Sequence, residues 1–239
     1  MRAFAAPLIA AVLAASTLAI APAAQAASLE IGPVNVSLIG RERTATVQVR
    51  NPGTEPLNVQ IRPVDWTQAD GQDVHTPSET LVVSPPFFTV APGQAQTVRL
   101  VVNLPKTPTT ERAWRLIIDE LPPAKAGGVA GVVVPIRALV PVFLAPSLAA
   151  RPKLAWSATS QDGQLRLNVA NSGPVHERLI GLQLTSGGKP VGGPDPLFGY
   201  VLSGTSRTWS VPAAGAEGAV SLRGDGAFGP VKADVAVAN

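Results

Sequence analysis

Hydrophobic and polar residues alternate strictly along Thr44 to Asn51 (TATVQVRN), which puts Ala45, Val47 and Val49 on one face; the alternation returns at Leu57, Val59 and Ile61. Turn chemistry closes each run, NPGTEP at 51–56 and ADGQD at 69–73. Further short runs rich in Val, Ile, Leu and Thr predict strands at 81–84, 87–90, 96–103, 114–120 and 132–144. About seven strands at this spacing, without one good amphipathic helix, predict an immunoglobulin-like β-sandwich. After FLAPSLAARP the pattern restarts, with runs at 153–157, 164–170, 179–185, 199–202, 207–211, 219–223 and 231–238. The chain is therefore expected to be all-β, with two domains meeting near 145–152. Each half carries two tryptophans as expected core anchors, Trp66 and Trp114, then Trp156 and Trp209.

One run conflicts with its own composition. GVVVPIRALVPVFL (131–144) reads as an apolar strand, yet Pro135 and Pro141 each lack the N–H that a sheet interior requires. Along a strand the side chains alternate between faces, while the backbone groups of successive residues alternate between edges. Pro135 and Pro141 share parity, so both missing donors fall on one edge. The even-numbered residues then keep their backbone groups for a neighbour on the other edge. The proline-bearing edge is predicted to face outward, with Arg137 and Leu139 as its remaining donors, a window short enough to discourage indiscriminate edge pairing.

Composition narrows the setting. Arg2, an Ala/Leu/Ile-rich run to Ile20 and then Ala24-Gln25-Ala26 have the form of a secretory signal peptide cut after Ala26. The expected division is a signal peptide at 1–26, a first domain at 27–146 and a second at 147–239. No later stretch approaches the roughly 20 apolar residues of a membrane span, so the exported chain is expected to have none. Lys and Arg number 19, Arg2 included, against 16 Asp and Glu. That near balance, without a basic block interleaved with aromatics, argues against a nucleic-acid partner. Cysteine is absent, so the sandwiches must hold by packing alone.

Catalytic signals are weak. GDGAFG at 224–229 fits G-x-G-x-x-G, but that motif needs a helix after it, and Pro230 onward reads as a last strand; a Gly-rich hairpin turn is expected instead. His75 and His176 sit beside turn residues, and the sequence offers no HExxH motif and no carboxylate cluster, so no metal and no cofactor are expected. No G-x-S-x-G elbow supports a nucleophile, no catalytic residue is nominated, and the chain is not expected to be an enzyme. ERAWRLIIDELPP (111–123) is more informative, with Arg112 and Arg115 flanking Trp114. The ordinary reading is a core strand with Trp114, Leu116 and Ile118 inward; a functional one uses the arginines to hold a carboxylate.

Several stretches together resemble one family. SPPFFTVAPGQAQTVRL (84–100), TERAWRLIIDELPP (110–123), GVVVPIRALVPVFLAP (131–146), LAWSA, NSGPVHERL and GYVLSGTSRTW are similar to landmarks of the periplasmic pilus-assembly chaperones of the chaperone-usher pathway (PapD-like), and IRALVPVFL resembles their archaic branch most. The resemblance spans essentially the whole mature chain. It implies two immunoglobulin-like domains in a boomerang arrangement, a periplasmic location, and a pilus subunit (pilin) and an outer-membrane usher as partners. It also implies donor-strand complementation, in which the long first-domain edge strand completes a pilin that lacks its own last strand. The implied donor residues are Val134, Ile136, Ala138, Val140 and Val142. The family's two cationic anchors for the pilin's terminal carboxylate fall here on Asn35 and Pro141, neither charged. Arg137, Arg115 and Arg99 are the substitute candidates. The competing reading, a secreted two-domain adhesin or carbohydrate-binding protein, calls for surface aromatics, and the chain has one Tyr and four Trp.

Overall fold

The computed structural model describes residues 29–121, 135–192, 197–213, 216 and 218–238. These form eighteen β-strands and no helix. The signal-peptide segment, Val134 and the start of the 131–144 run lie outside the described residues.

The first half folds into two facing sheets. β1 (Glu30–Gly32), β3 (Thr44–Arg50), β8 (Ala95–Val102) and β6 (Leu81–Ser84) make one, in that order. The other runs β2 (Val36–Ile39), β10 (Arg137–Ala145), β9 (Arg112–Leu121), β4 (Leu57–Ala69), β5 (Gln72–Pro77), with β7 (Phe87–Val90) also paired to β4. The alternation seen in the sequence becomes the core: Val47, Val49, Val98 and Leu100 from one sheet meet Val59, Ile61, Trp114, Leu116, Ile118, Val140, Val142 and Leu144 from the other.

The second half contains β11 (Leu154–Gln161), β12 (Gln164–Asn171), β13 (Glu177–Ser186), β14 (Lys189–Val191), β15 (Leu197–Val201), β16 (Ser206–Pro212), β17 (Ala219–Gly226) and β18 (Gly229–Ala238). They form one continuous sheet, β14-β13-β17-β18-β11-β12-β16, with β15 on β13. It closes over its own core, built on Leu165, Leu167, Val169, Leu179, Val220 and Leu222. Among the described residues, no strand pairing crosses from one half to the other.

Two turns follow directly from residue chemistry. Asp70-Gly71 and Asp162-Gly163 have φ of 51° and 75°, then 51° and 72°. Positive φ at both central positions defines the tight hairpin turn that an Asp-Gly pair favours. The first turn adds a strand the sequence did not announce: β5 is exposed along its whole length, so it carries no alternation to read. GDGAFG closes the β17–β18 hairpin through the Gly226–Gly229 pair, as expected.

The tryptophans need a correction. Trp114 is a core residue, but Trp66 is buried between the two domains, against Phe143 and Leu202. Its strand partner is His75 of β5, and it points to the outer face of the sheet, where the second domain covers it. Trp156 and Trp209 are half-buried at the margin of the second core, their rings stacked at 6.4 Å.

Candidate strand-binding edge and domain junction

A strand that is to receive a partner must have an edge its own sheet leaves unpaired. β10 has one for half its length. From Arg137 to Leu144 it pairs antiparallel with β9, Arg137 opposite Asp119 and Leu144 opposite Arg112. On its other side β2 pairs with it in parallel, but only from Val142 to Ala145. Among the described residues, 137–141 therefore have one neighbouring strand.

The hydrogen bonds fix which way the backbone points. Glu120 N–H donates to the Ile136 carbonyl at 2.9 Å, so the even-numbered residues turn their backbone to β9. Gly40 N–H donates to the Ala145 carbonyl at 2.9 Å, so the odd-numbered ones face the β2 side. The missing donor of Pro141 is thus on the outward edge, and Pro135 has the same parity. Arg137 and Leu139 supply that edge's N–H groups, and Arg115 Nη1 donates weakly to the Leu139 carbonyl at 3.4 Å.

The side chains are distributed less generously than the sequence suggests. Val140 and Val142 are 4% and 0% exposed, packed in the first-domain core. Ala138 packs against that core and, like Ile136, is only partly buried. Leu139 lies on the opposite face, 46% exposed. The even-numbered residues thus share one face, but Val140 and Val142 already serve the chain's own interior.

Of the candidate cations, the structure brings Arg137 and Arg115 onto one face of one sheet and puts Arg99 elsewhere. Arg99 is exposed on β8, opposite Thr46 and Ser84 in the other sheet. Arg137 is an ion-pair partner of Asp119, which also takes Arg62 Nη2 at 2.7 Å. Arg115 is the cross-strand partner of Pro141. Pro141 and Asn35 directly precede the first pair of β10 with β2, Val142 with Val36. Both positions where the resemblance expects charges thus flank the point where β2 leaves β10, and of the three candidates Arg115 is the one paired with Pro141.

Arg115 is also part of the domain junction. Its guanidinium lies 3.7 Å from the Trp66 ring centroid and 5.7 Å from that of Tyr200, with Asp73 at 3.5 Å. Burial, the largest influence, draws its proton affinity below the ordinary guanidinium value, against the opposing pull of Asp73. Phe143, the inner end of β10, stacks on His176 at 3.7 Å. His176 is held in turn by Glu111, whose Oε1 lies 2.7 Å from Nδ1 and accepts the His176 N–H at 3.0 Å. Glu111 N–H completes the strap by donating to the Pro174 carbonyl at 2.8 Å. From the β4–β5 hairpin, Gln68 donates to the Tyr200 carbonyl and accepts from Leu202 N–H and Thr205 Oγ1, all within 3.0 Å. Sequence reasoning did not find Gln68, Glu111, Phe143 or Tyr200 as junction residues. His176, which the sequence places beside turn residues, is a buried structural residue of the junction.

Two sandwiches packed against each other, with a strand of the first left open on one edge among the described residues, define a class of two-domain β-protein with an edge to which a further strand could add. The match to known families agrees: residues 28–150 fit the pili and flagellar-assembly chaperone family, PapD N-terminal domain, and the chain belongs to that family. No match is found among curated proteins. Among solved structures, a chain of the CsuC-CsuE chaperone-tip adhesion subunit pre-assembly complex, from archaic chaperone-usher Csu pili of Acinetobacter baumannii, is similar at TM-score 0.70 and 25% identity, covering 89% of this chain and 100% of that one. The expected likeness to the archaic branch is borne out by that match. The E. coli chaperone DraB (TM-score 0.60, 22% identity, 87% and 96% covered) and a chain from the Salmonella enterica SafA pilin complex with the SafB chaperone (0.60, 24%, 86% and 95%) share the fold.

Proposed function

We propose that this protein is a periplasmic chaperone that holds pilus subunits by strand addition along residues 137–141 of β10 and passes them to an outer-membrane usher. One observation carries the reading: among the described residues the outward edge of β10 is unpaired from 137 to 141, and the strand is paired on both sides from 142. Backbone groups of Arg137 and Leu139 give the partner strand its ladder, and the partly exposed Ile136 and Ala138 offer it apolar contact. Val134, Val140 and Val142 complete the proposed donor row, the two latter mainly by keeping the strand in its sheet. We take 27–146 and 147–239 as the two domains, the division falling just after β10.

Arg115 is the preferred anchor for a subunit's terminal carboxylate. It is the cross-strand partner of Pro141, and its buried Nε has no hydrogen-bond partner among the described residues. Arg137 is tied with Arg62 to Asp119, as Arg115 is to Asp73, but Arg137 lies at the far end of the open edge from Pro141, and Arg99 is on the other sheet. The test is co-expression in the periplasm with a pilus subunit. A 1:1 complex is expected for the wild type, and its loss for Ile136→Asp, a substitution at a position the fold does not bury fully. A complex indifferent to Ile136→Asp would refute strand addition. Arg115→Ala, if it left that complex unchanged, would refute the anchor alone.

A further inference from the structure

A strand with a neighbour on one side only frays unless something beyond the ladder holds it. At the open end of β10 that support comes from residues 119–120 of β9. Asp119 is buried and bridges outward to both sides, to Arg62 on β4 and to Arg137 on β10. Glu120 acts twice on the next residue. Its N–H donates to the Ile136 carbonyl at 2.9 Å, and its Oε2 accepts the Ile136 N–H at 3.1 Å.

Arg62, Asp119 and Arg137 lie on three adjacent strands, so the ion pairs run across the sheet just where β2 is no longer present to flank β10. We propose that Asp119 and Glu120 form a clasp that fixes the extension and register of residues 136–141, so that the outward edge meets a pilus subunit already ordered. Both are positioning residues, and the inference rests on the function proposed above. An edge that is ordered beforehand spares the partner the loss of backbone freedom on binding, so loosening the clasp should show as faster release. Burial alone would raise the Asp119 carboxyl, but the hydrogen bonds and charges of Arg137 and Arg62 outweigh it and hold the group below the usual carboxylate range. Asp119 therefore stays charged through neutral and mildly acidic conditions.

The test uses the full mature chain, its D119N/E120A double variant, and E120Q, which keeps an oxygen for the Ile136 N–H. In the double variant the Ala138 and Val140 amides should exchange about tenfold faster, with Val98 and Leu100 in the opposite sheet unchanged. A complex with a co-expressed pilus subunit should dissociate about tenfold sooner. E120Q should match the wild type within about twofold in both. Unchanged complex lifetime, or exchange accelerated equally in both sheets, overturns the clasp. Should the double variant not fold, R137Q, altered at a largely exposed side chain, decides: about threefold faster exchange at Ala138 supports the clasp and no change overturns it. A wild-type chain that captures no subunit would refute the proposed function, while the exchange pattern still decides the clasp.

Discussion

The two halves of β10 are one strand in sequence and two in physical terms. Residues 142–144 have neighbours on both edges, a core beneath Val142 and Leu144, and the second domain on Phe143. Residues 137–141 share the same ladder with β9 and, among the described residues, have no strand on the other side. The difference teaches that hydrophobicity alone does not mark a partner-binding strand. The most apolar part is spent on the chain's own fold, and the part left for a partner is flanked by proline and arginine.

The comparison breaks most violently at Val142. Val142→Asp puts an unpaired carboxylate in the core and should cost about 4 kcal/mol or more, enough to unfold the first domain in a thermal melt followed by circular dichroism. Ile136→Asp should leave the melt nearly unchanged. Equal destabilisation by both would erase the distinction between the halves.

Adjacent prolines sharpen it next. Ala138→Pro removes a donor used by β9 and should cost about 3 kcal/mol, whereas Leu139→Pro removes one from the outward edge and should cost less than about 1 kcal/mol while weakening subunit binding. Equilibrium urea unfolding of the two variants checks this, and the reverse order would overturn the edge assignment.

Acid titration gives a smaller effect. The Asp119 carboxyl is depressed in the folded state, so its contribution is present above the unfolded carboxylate value and is lost as pH falls through the lower folded value. Denaturant midpoints of wild type and Asp119→Asn should therefore converge in strong acid and differ at neutral pH.

Glu177 supplies a control on the second domain, off the open edge of β10. Burial raises its carboxyl above the usual range, against hydrogen bonds from Ala227 and Arg178. Its favourable share is complete below the unfolded value and fades as pH rises through the folded one. Glu177→Gln, keeping an oxygen for the Ala227 N–H, should alter stability at neutral pH by less than about 1 kcal/mol and leave binding alone. A change in subunit capture would show that the second domain takes part.

The strands most legible in the sequence were those buried on one face, such as Thr44–Arg50, because period-two alternation records burial directly. β5 left no such record, being exposed on both faces. The direction of the β10 edges was also readable, since proline parity depends only on counting along an extended chain. How much of β10 the fold keeps for itself was not readable, because that depends on where β2 stops. Trp66 was misplaced for a related reason: a large apolar side chain signals burial without saying which surface buries it. The link from Glu111 to His176 joins residues 65 apart in sequence, and neither local pattern refers to the other.

The hydrogen bonds of Gln68 carry a consequence for how the molecule comes apart. One side chain on the first domain's hairpin holds a carbonyl, an amide and a hydroxyl of the second. Beside it the Trp66, Phe143 and Leu202 cluster would be wet on either domain alone. Loss of either sandwich strips the other of that cover, so the two should melt in a single calorimetric transition whose enthalpy matches the whole chain.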